Sequence, residues 1–440
     1  MPSPPHIGAD STANSVLIVA FHFPPQAGSS GQLRALKFCR YLPDFGWHPS
    51  VLTLNSRAYE AIDARGEKAI PLNTPVFRSF ALDTKRHLGF HGAYLDWMAL
   101  PDRWASWLLG SIPTGLRAIR NQRVSVILTT FPIASAVLVG LALHRITGKP
   151  WIVDLRDSMT EAGYPREPRM RSVWCWLERK AVQYASRIIF TADSTRKMYL
   201  KRYPNLCAEK CLVISNGFDE EDFRSFKESD CTPATEGQPL HLLHTGLIYP
   251  EERDPRPFFR ALSRLKKENL ISRHSLQIAF RAPGAEDLYR SLLQEHDIAD
   301  LIALQPHVPY SQALEECANA NGLLLFQAAN CDHQIPAKAY EYLRLRKPIL
   351  ALTTQTGDTA SLLKEVGGAT IVDLASEEDI YQGLPVFLSS LRKATHALPD
   401  AVKIQRYARR NQAEQLARCL SELKAERILP ASQKVESLAR

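Results

Sequence analysis

Short, evenly apolar runs alternate along the chain with longer stretches in which apolar residues recur at helical spacing. VLIVAF (16–21), PSVLTL (49–54), VSVILTT (124–130), WIVDL (151–155), RIIFTAD (187–193) and KCLVISNGF (210–218) have no polar face, which predicts strands buried on both sides of a parallel sheet. Helical patterns lie between them, from about Gly31 to Leu42, through SAVLVGLAL (135–143) and over 171–186. Strand and helix in turn give βαβ units and a doubly wound domain. Residues 223–239, FRSFKESDCTPATEGQP, are polar and irregular and read as a linker. The alternation then restarts with LHLLHTG (240–246), LQIAF (276–280), LIALQ (301–305), GLLLFQ (322–327), PILALT (348–353) and ATIVD (369–373), each separated from the next by a helical pattern. A second doubly wound domain is therefore expected over 240–402, after a first over 15–222. VKIQRYARRNQAEQLARCLSEL (402–423) reads as one further helix with Ile404, Tyr407, Leu416 and Leu420 on a stripe. The ends, 1–14 and 429–440, are expected to be flexible.

Composition agrees with two α/β domains. A chain of 440 residues exceeds the roughly 250–300 at which one core stops growing. The 45% apolar and 23% charged content is that of a globular protein. A net charge of +8 favours anionic partners such as nucleotides or phospholipid headgroups, unless it is only a basic solvated surface. No nucleic-acid partner is expected, because the basic residues form no recognised module with interleaved aromatics. The 8 cysteines show no CxxC pair and no metal-ligand spacing, as in reduced, cytoplasmic packing residues. No secretory signal is evident, and the longest apolar run, 134–143, is half the roughly 20 residues of a bilayer span. The segment GFHGAYLDWMALPDRWASWLLGSIPTGLRAIR (89–120) is dense in Trp, Tyr and Leu and ends basic. Two readings stand for it: packing on its domain, or peripheral contact with an anionic membrane.

The first strand runs into PPQAGSSGQLR (24–34) and restarts at once as a helix. Gly28 and Gly31 permit close backbone approach, and the helix N-terminus behind them favours an anion. The stretch is not GxGxxG, so a dehydrogenase-type dinucleotide site is disfavoured. Taken with GKPWIVDLRD (148–157), VISNGFDEEDF (213–223), HTGLIYPEERDP (244–255) and IPAKAYEYLRLRKPILAL (335–352), in this order, the chain resembles a family 4 glycosyltransferase of the GT-B fold. The likeness covers roughly 15–425.

The resemblance implies two Rossmann-like domains facing a central cleft, with a nucleotide-diphosphate sugar held mostly by the second and a saccharide or lipid-linked acceptor mostly by the first. It also implies that a helix at about 403–425 returns to the first domain. The Gly28–Gly31 loop and Gly246 would lie against the donor diphosphate. Arg253 would neutralise that diphosphate, unless it is an exposed arginine among Glu251, Glu252 and Asp254. Pro336 opens the donor-binding helix, Lys338 would reach a phosphate, and Glu341 matches the glutamate that accepts the ribose hydroxyls. His333 stands where the family's first glutamate is usual, which bears on the identity of the sugar.

Asp157 would orient or deprotonate the acceptor, and Arg156 would meet an acceptor phosphate or a neighbouring carboxylate; both also fit a purely structural pair. Retention of configuration without a protein nucleophile is implied. No cofactor is expected, and neither is a metal, since no DxD motif is present. The implied setting is cell-surface polysaccharide or glycolipid synthesis in the cytoplasm, at the inner face of the cell membrane. A sugar-nucleotide epimerase and a nucleotide-sugar-binding protein without catalysis remain as alternatives.

Overall fold

The computed structural model describes residues 14–27, 31–91, 93–224, 237–250 and 253–428. Expectations for Gly28, Glu251 and Glu252, for most of the linker, and for 1–13 and 429–440 fall outside the described residues. The chain divides into two compact units. One takes the residues up to Thr191, Arg196–Ile214 and the stretch from Gln412; the other takes Ala192–Thr195 and Ser215–Asn411.

In the first unit the strands are β1 (Ser15–Ala20), β2 (His48–Leu54), β3 (Val76–Ser79), β4 (Val126–Thr130), β5 (Trp151–Leu155), β6 (Arg187–Phe190) and β7 (Cys211–Val213). They form one parallel sheet in the order β3-β2-β1-β4-β5-β6-β7. Side chains alternate across it: Leu17 and Val19 of β1 enter one core, while Val16, Ile18 and Ala20 enter the other. β3 was not foreseen from the sequence, because only its last residue is buried and an edge strand carries no evenly apolar run. The helices are α1 (Gln32–Tyr41), α2 (Trp107–Asn121), α3 (Ala134–Thr147), α4 (Pro168–Tyr184) and α5 (Asp193–Arg202), the last belonging to this unit from Arg196 on. In α2, Trp107, Ser111, Gly115, Ala118 and Ile119 face inward, and the Trp107 indole N–H donates to Ser79 Oγ at 2.8 Å. For that face of the 89–120 segment the packing reading holds.

The second unit has strands β8 (Leu240–Thr245), β9 (Leu276–Arg281), β10 (Ile302–Gln305), β11 (Gly322–Phe326), β12 (Ile349–Leu352) and β13 (Ala369–Val372), parallel in the order β10-β9-β8-β11-β12-β13. Its helices are α6 (Arg256–Lys267), α7 (Glu286–Glu295), α8 (Tyr310–Asn319), α9 (Ala337–Arg344), α10 (Asp358–Val366), α11 (Glu377–Arg392) and α12 (Ala401–Gln405). In both sheets the strand order reverses once, between β1 and β4 and between β8 and β11. The carboxyl edge at such a switch point is where open α/β sheets take ligands.

The final helical pattern is divided, not continuous: α12 ends at Gln405 and α13 (Arg409–Ile428) follows. The reason lies in Phe218, whose N–H donates to the Tyr407 carbonyl at 3.3 Å and whose carbonyl accepts the Arg409 N–H at 2.8 Å. Backbone groups that pair with Phe218 cannot also carry the helix through. Ile404 accordingly belongs to the second unit's core, and Leu416 and Leu420 to the first unit's. Among the described residues no helix is long and apolar enough to cross a membrane.

Candidate functional site

At the switch point of the second unit, α9 clamps the end of β8. Lys338 and Tyr342 are one helical turn apart and share a face. The Lys338 ammonium donates to the Thr245 carbonyl and, at 3.0 Å, to His244 Nε2. The Thr245 N–H in turn donates to the Tyr342 hydroxyl at 3.0 Å. His244 is buried with Nδ1 2.9 Å from the Leu324 carbonyl. A carbonyl only accepts, so Nδ1 carries the proton and Nε2 is left to receive the lysine. Burial, with Lys338 alongside, lowers the His244 pKa and keeps the ring neutral.

Gly246 follows with φ +87°, and a Cβ there would stand 3.3 Å from Lys338 Nζ. The glycine is needed twice, for a left-handed backbone and for room beside the ammonium. Arg253 approaches the same turn: its guanidinium donates to the Leu247 carbonyl at 2.8 Å and lies over the Tyr249 ring. Its Nε is buried without an acceptor among the described residues. Asp254, a candidate to neutralise Arg253, is instead held by Arg256 at 2.7 Å. Neither Lys338 nor Arg253 has a carboxylate partner among the described residues. Burial first, and then the Arg253 charge, depress the Lys338 pKa to about 7.

One turn from Lys338, Glu341 accepts the Tyr310 hydroxyl at 2.8 Å. Burial raises its pKa, opposed by that hydrogen bond and by Arg409 and Lys338. Pro336 is the N-cap of α9 with extended backbone, so it aims the chain into the helix without needing an N–H. The His333 carbonyl accepts from Thr195 Oγ1 at 2.6 Å. The neighbouring Asp332 accepts Thr354 Oγ1 at 2.6 Å, which ties it into the loop before α10.

The first unit's candidates separate. Asp154 at the end of β5 is buried and pairs with Arg34 of α1 at 2.8 Å, and Arg34 also donates to the Ile214 carbonyl. Arg156 spends its donors on the Phe131 and Gly31 carbonyls, both at 2.6 Å, and lies 3.3 Å from His22 Nδ1. Its placement is that of a residue holding the β1 and β4 loops together. Burial and the Arg156 charge push the His22 pKa down to about 3. Asp157 is exposed at the sheet's carboxyl edge. Gly31 has ordinary right-handed backbone at φ −57° and ψ −26°, so its lack of a side chain is what it brings to the N-terminus of α1. Residues 24–27 are pinned by a strand-like bridge between Gln26 and Ile62.

Comparison with known proteins now bears on this geometry. A model of the glycosyl transferase 4-like domain matches 31–217. Solved structures extend the likeness over both units at the level of the fold. Sucrose-phosphate synthase from Thermosynechococcus elongatus shares 12% identity at a TM-score of 0.65, over 94% of this chain and 99% of that one. Anabaena HepE in complex with UDP and glucose shares 14% at 0.60, over 93% and 99%. WaaG, a glycosyltransferase involved in lipopolysaccharide biosynthesis, shares 15% at 0.60, over 92% and 99%. The two sheets with their flanking helices thus form a GT-B glycosyltransferase fold. No curated protein matches the sequence significantly.

Within the residues that the glycosyl transferase 4-like model matches lie Gly31, Arg156 and Asp157; Gly246, Arg253, Pro336, Lys338 and Glu341 lie beyond them, Lys338 and Arg253 against the Gly246 turn, Pro336 at the N-cap of α9 and Glu341 on α9 with Lys338. Sequence reasoning missed His244, Tyr310 and Tyr342, which hold Lys338, Glu341 and Thr245 in place. Only Tyr342 had a signal, its spacing of one turn from Lys338.

Proposed function

We propose that the protein transfers a sugar from a nucleotide-diphosphate sugar to a saccharide or lipid-linked acceptor, with retention, in cell-surface polysaccharide or glycolipid synthesis on the cytoplasmic side of the membrane. The observation that carries this reading is the turn at Gly246, flanked by two cations that have no carboxylate partner among the described residues. A diphosphate leaving group needs cationic stabilisation, and Lys338 and Arg253 can supply it without first breaking an ion pair with any described residue. Glu341 keeps one carboxylate oxygen beyond its bond to Tyr310, suited to ribose hydroxyls.

In the proposed step the bond between the anomeric carbon and the diphosphate oxygen breaks, and the acceptor oxygen bonds to the same face. The acceptor proton leaves on the departing diphosphate. Asp157, exposed at the carboxyl edge of the first sheet, would orient the acceptor hydroxyl. No cofactor or metal takes part in this reading. Incubating the protein with UDP-, GDP- and ADP-sugars and following nucleotide release by mass spectrometry is the test; release from one donor class, accelerated by acceptor, is expected. His333 in place of a glutamate favours a second reading, a nucleotide-sugar-binding protein without catalysis. Tight donor binding with no release from any donor would establish that alternative.

A further inference from the structure

We infer that the excursion between Thr84 and Met98, together with Phe80 and the outer face of α2, is a surface that docks on an anionic lipid bilayer. The base of the excursion is closed. The Thr84 N–H and hydroxyl donate to the Arg103 and Met98 carbonyls at 2.9 and 3.0 Å, buried Asp83 pairs with Arg103 at 2.5 Å, and Ser106 Oγ bonds both backbone groups of Leu82. What this base carries is unusually apolar. Phe90 is 80% exposed, Trp97 65%, Leu95 61% and Leu88 44%. Phe80 and Leu109, 55% and 75% exposed, extend the patch. They adjoin, because a Cβ on Gly110 would lie 2.4 Å from the Phe80 carbonyl oxygen. Exposed apolar residues scattered singly need no explanation, whereas a cluster on a braced support marks an interaction surface.

Charge selects the partner. Lys85, Arg86, His87 and His91 are exposed on the excursion, and Asp96 is its one acidic residue among those described. On α2 the exposed positions run Leu109, Pro113, Arg117, Arg120 and Asn121, apolar in its first half and basic or polar in its second. Apolar side chains that enter the headgroup boundary beside cations that meet lipid phosphates are what an interfacial contact requires. The inference rests on the proposed reading only for its purpose, bringing the enzyme to a lipid-linked acceptor. It is tested without turnover.

The full-length protein is sedimented with phosphatidylcholine vesicles, with or without one-third phosphatidylglycerol, at low and high salt. Binding to the anionic vesicles at low salt is expected, weakened by salt. Phe90→Ser/Trp97→Ser and Lys85→Glu/Arg117→Glu should each reduce it about tenfold or more. Val386→Ser/Val402→Ser, which removes exposed apolar residues of the second unit, should leave it unchanged. Donor-nucleotide affinity, measured on the same variants, should not move, so a failed reading of the site and a failed docking surface are distinguishable. No binding by the unsubstituted protein at low salt overturns the inference, and so does an equal loss in the Val386→Ser/Val402→Ser control. Self-association in the ultracentrifuge that is lost in Phe90→Ser/Trp97→Ser, without vesicle binding, would overturn it in favour of an interface between copies.

Discussion

If Lys338 holds the donor diphosphate as proposed, donor binding should depend on pH. With a pKa of about 7 its ammonium is half protonated at pH 7, and only about 3% protonated at pH 8.5. A nucleotide-diphosphate sugar has no phosphate proton to lose in that interval. If binding requires the ammonium, affinity should fall about 16-fold from pH 7 to 8.5, or ~1.6 kcal/mol. Isothermal calorimetry with the donor that binds is the assay. Lys338→Met should bind weakly at both pH values and lose the slope, while Lys338→Arg, charged throughout, should bind without it. A slope that persists in Lys338→Met, or none in the unsubstituted protein, would refute the reasoning. Stability should run the other way. The folded state holds fewer protons than the unfolded state between pH 7 and the ordinary lysine value of 10.5, so this group adds stability as pH rises through that window.

Glu341→Ala should weaken donor binding by about 1.5–3 kcal/mol, the worth of hydrogen bonds to a charged group; unchanged nucleotide affinity by calorimetry would remove Glu341 from the site. Arg253→Ala should cost turnover and leave the melting temperature nearly unmoved, because no carboxylate among the described residues is stranded; an early melt with normal turnover would mark it as structural. Asp154→Asn, in contrast, leaves Arg34 buried without its counter-charge and should lower unfolding stability by about 3–5 kcal/mol in urea titration, with donor affinity retained.

The fold was largely legible because buried parallel strands leave continuous apolar runs, and β1, β4, β5, β11 and β12 are buried at every position. β3 escaped because three of its four residues are only half-buried, and the break before α13 escaped because Phe218, which causes it, is nearly two hundred residues upstream in sequence. At the candidate site, the residues on α9 and in the β8 turn could be named from local motifs. Their partners could not. Arg34 with Asp154, Arg156 with the Gly31 carbonyl and His244 with Lys338 are pairings across 94 to 125 positions, and such contacts have no periodicity to betray them. The engagement of Arg156 with the Phe131 and Gly31 carbonyls was likewise invisible without the fold.

The division of the last helical stretch at Phe218 has a consequence for synthesis. Leu416 and Leu420, fully buried in the first unit, and Ser421, which accepts the Trp47 indole N–H at 3.0 Å, are translated after the whole of the second unit. On the ribosome the second unit can therefore complete its core while the first still exposes the apolar groove that α13 will fill. A nascent chain arrested near residue 408 should present that groove to chaperones, and a shortened gene that stops there should give an aggregating product, not a working half.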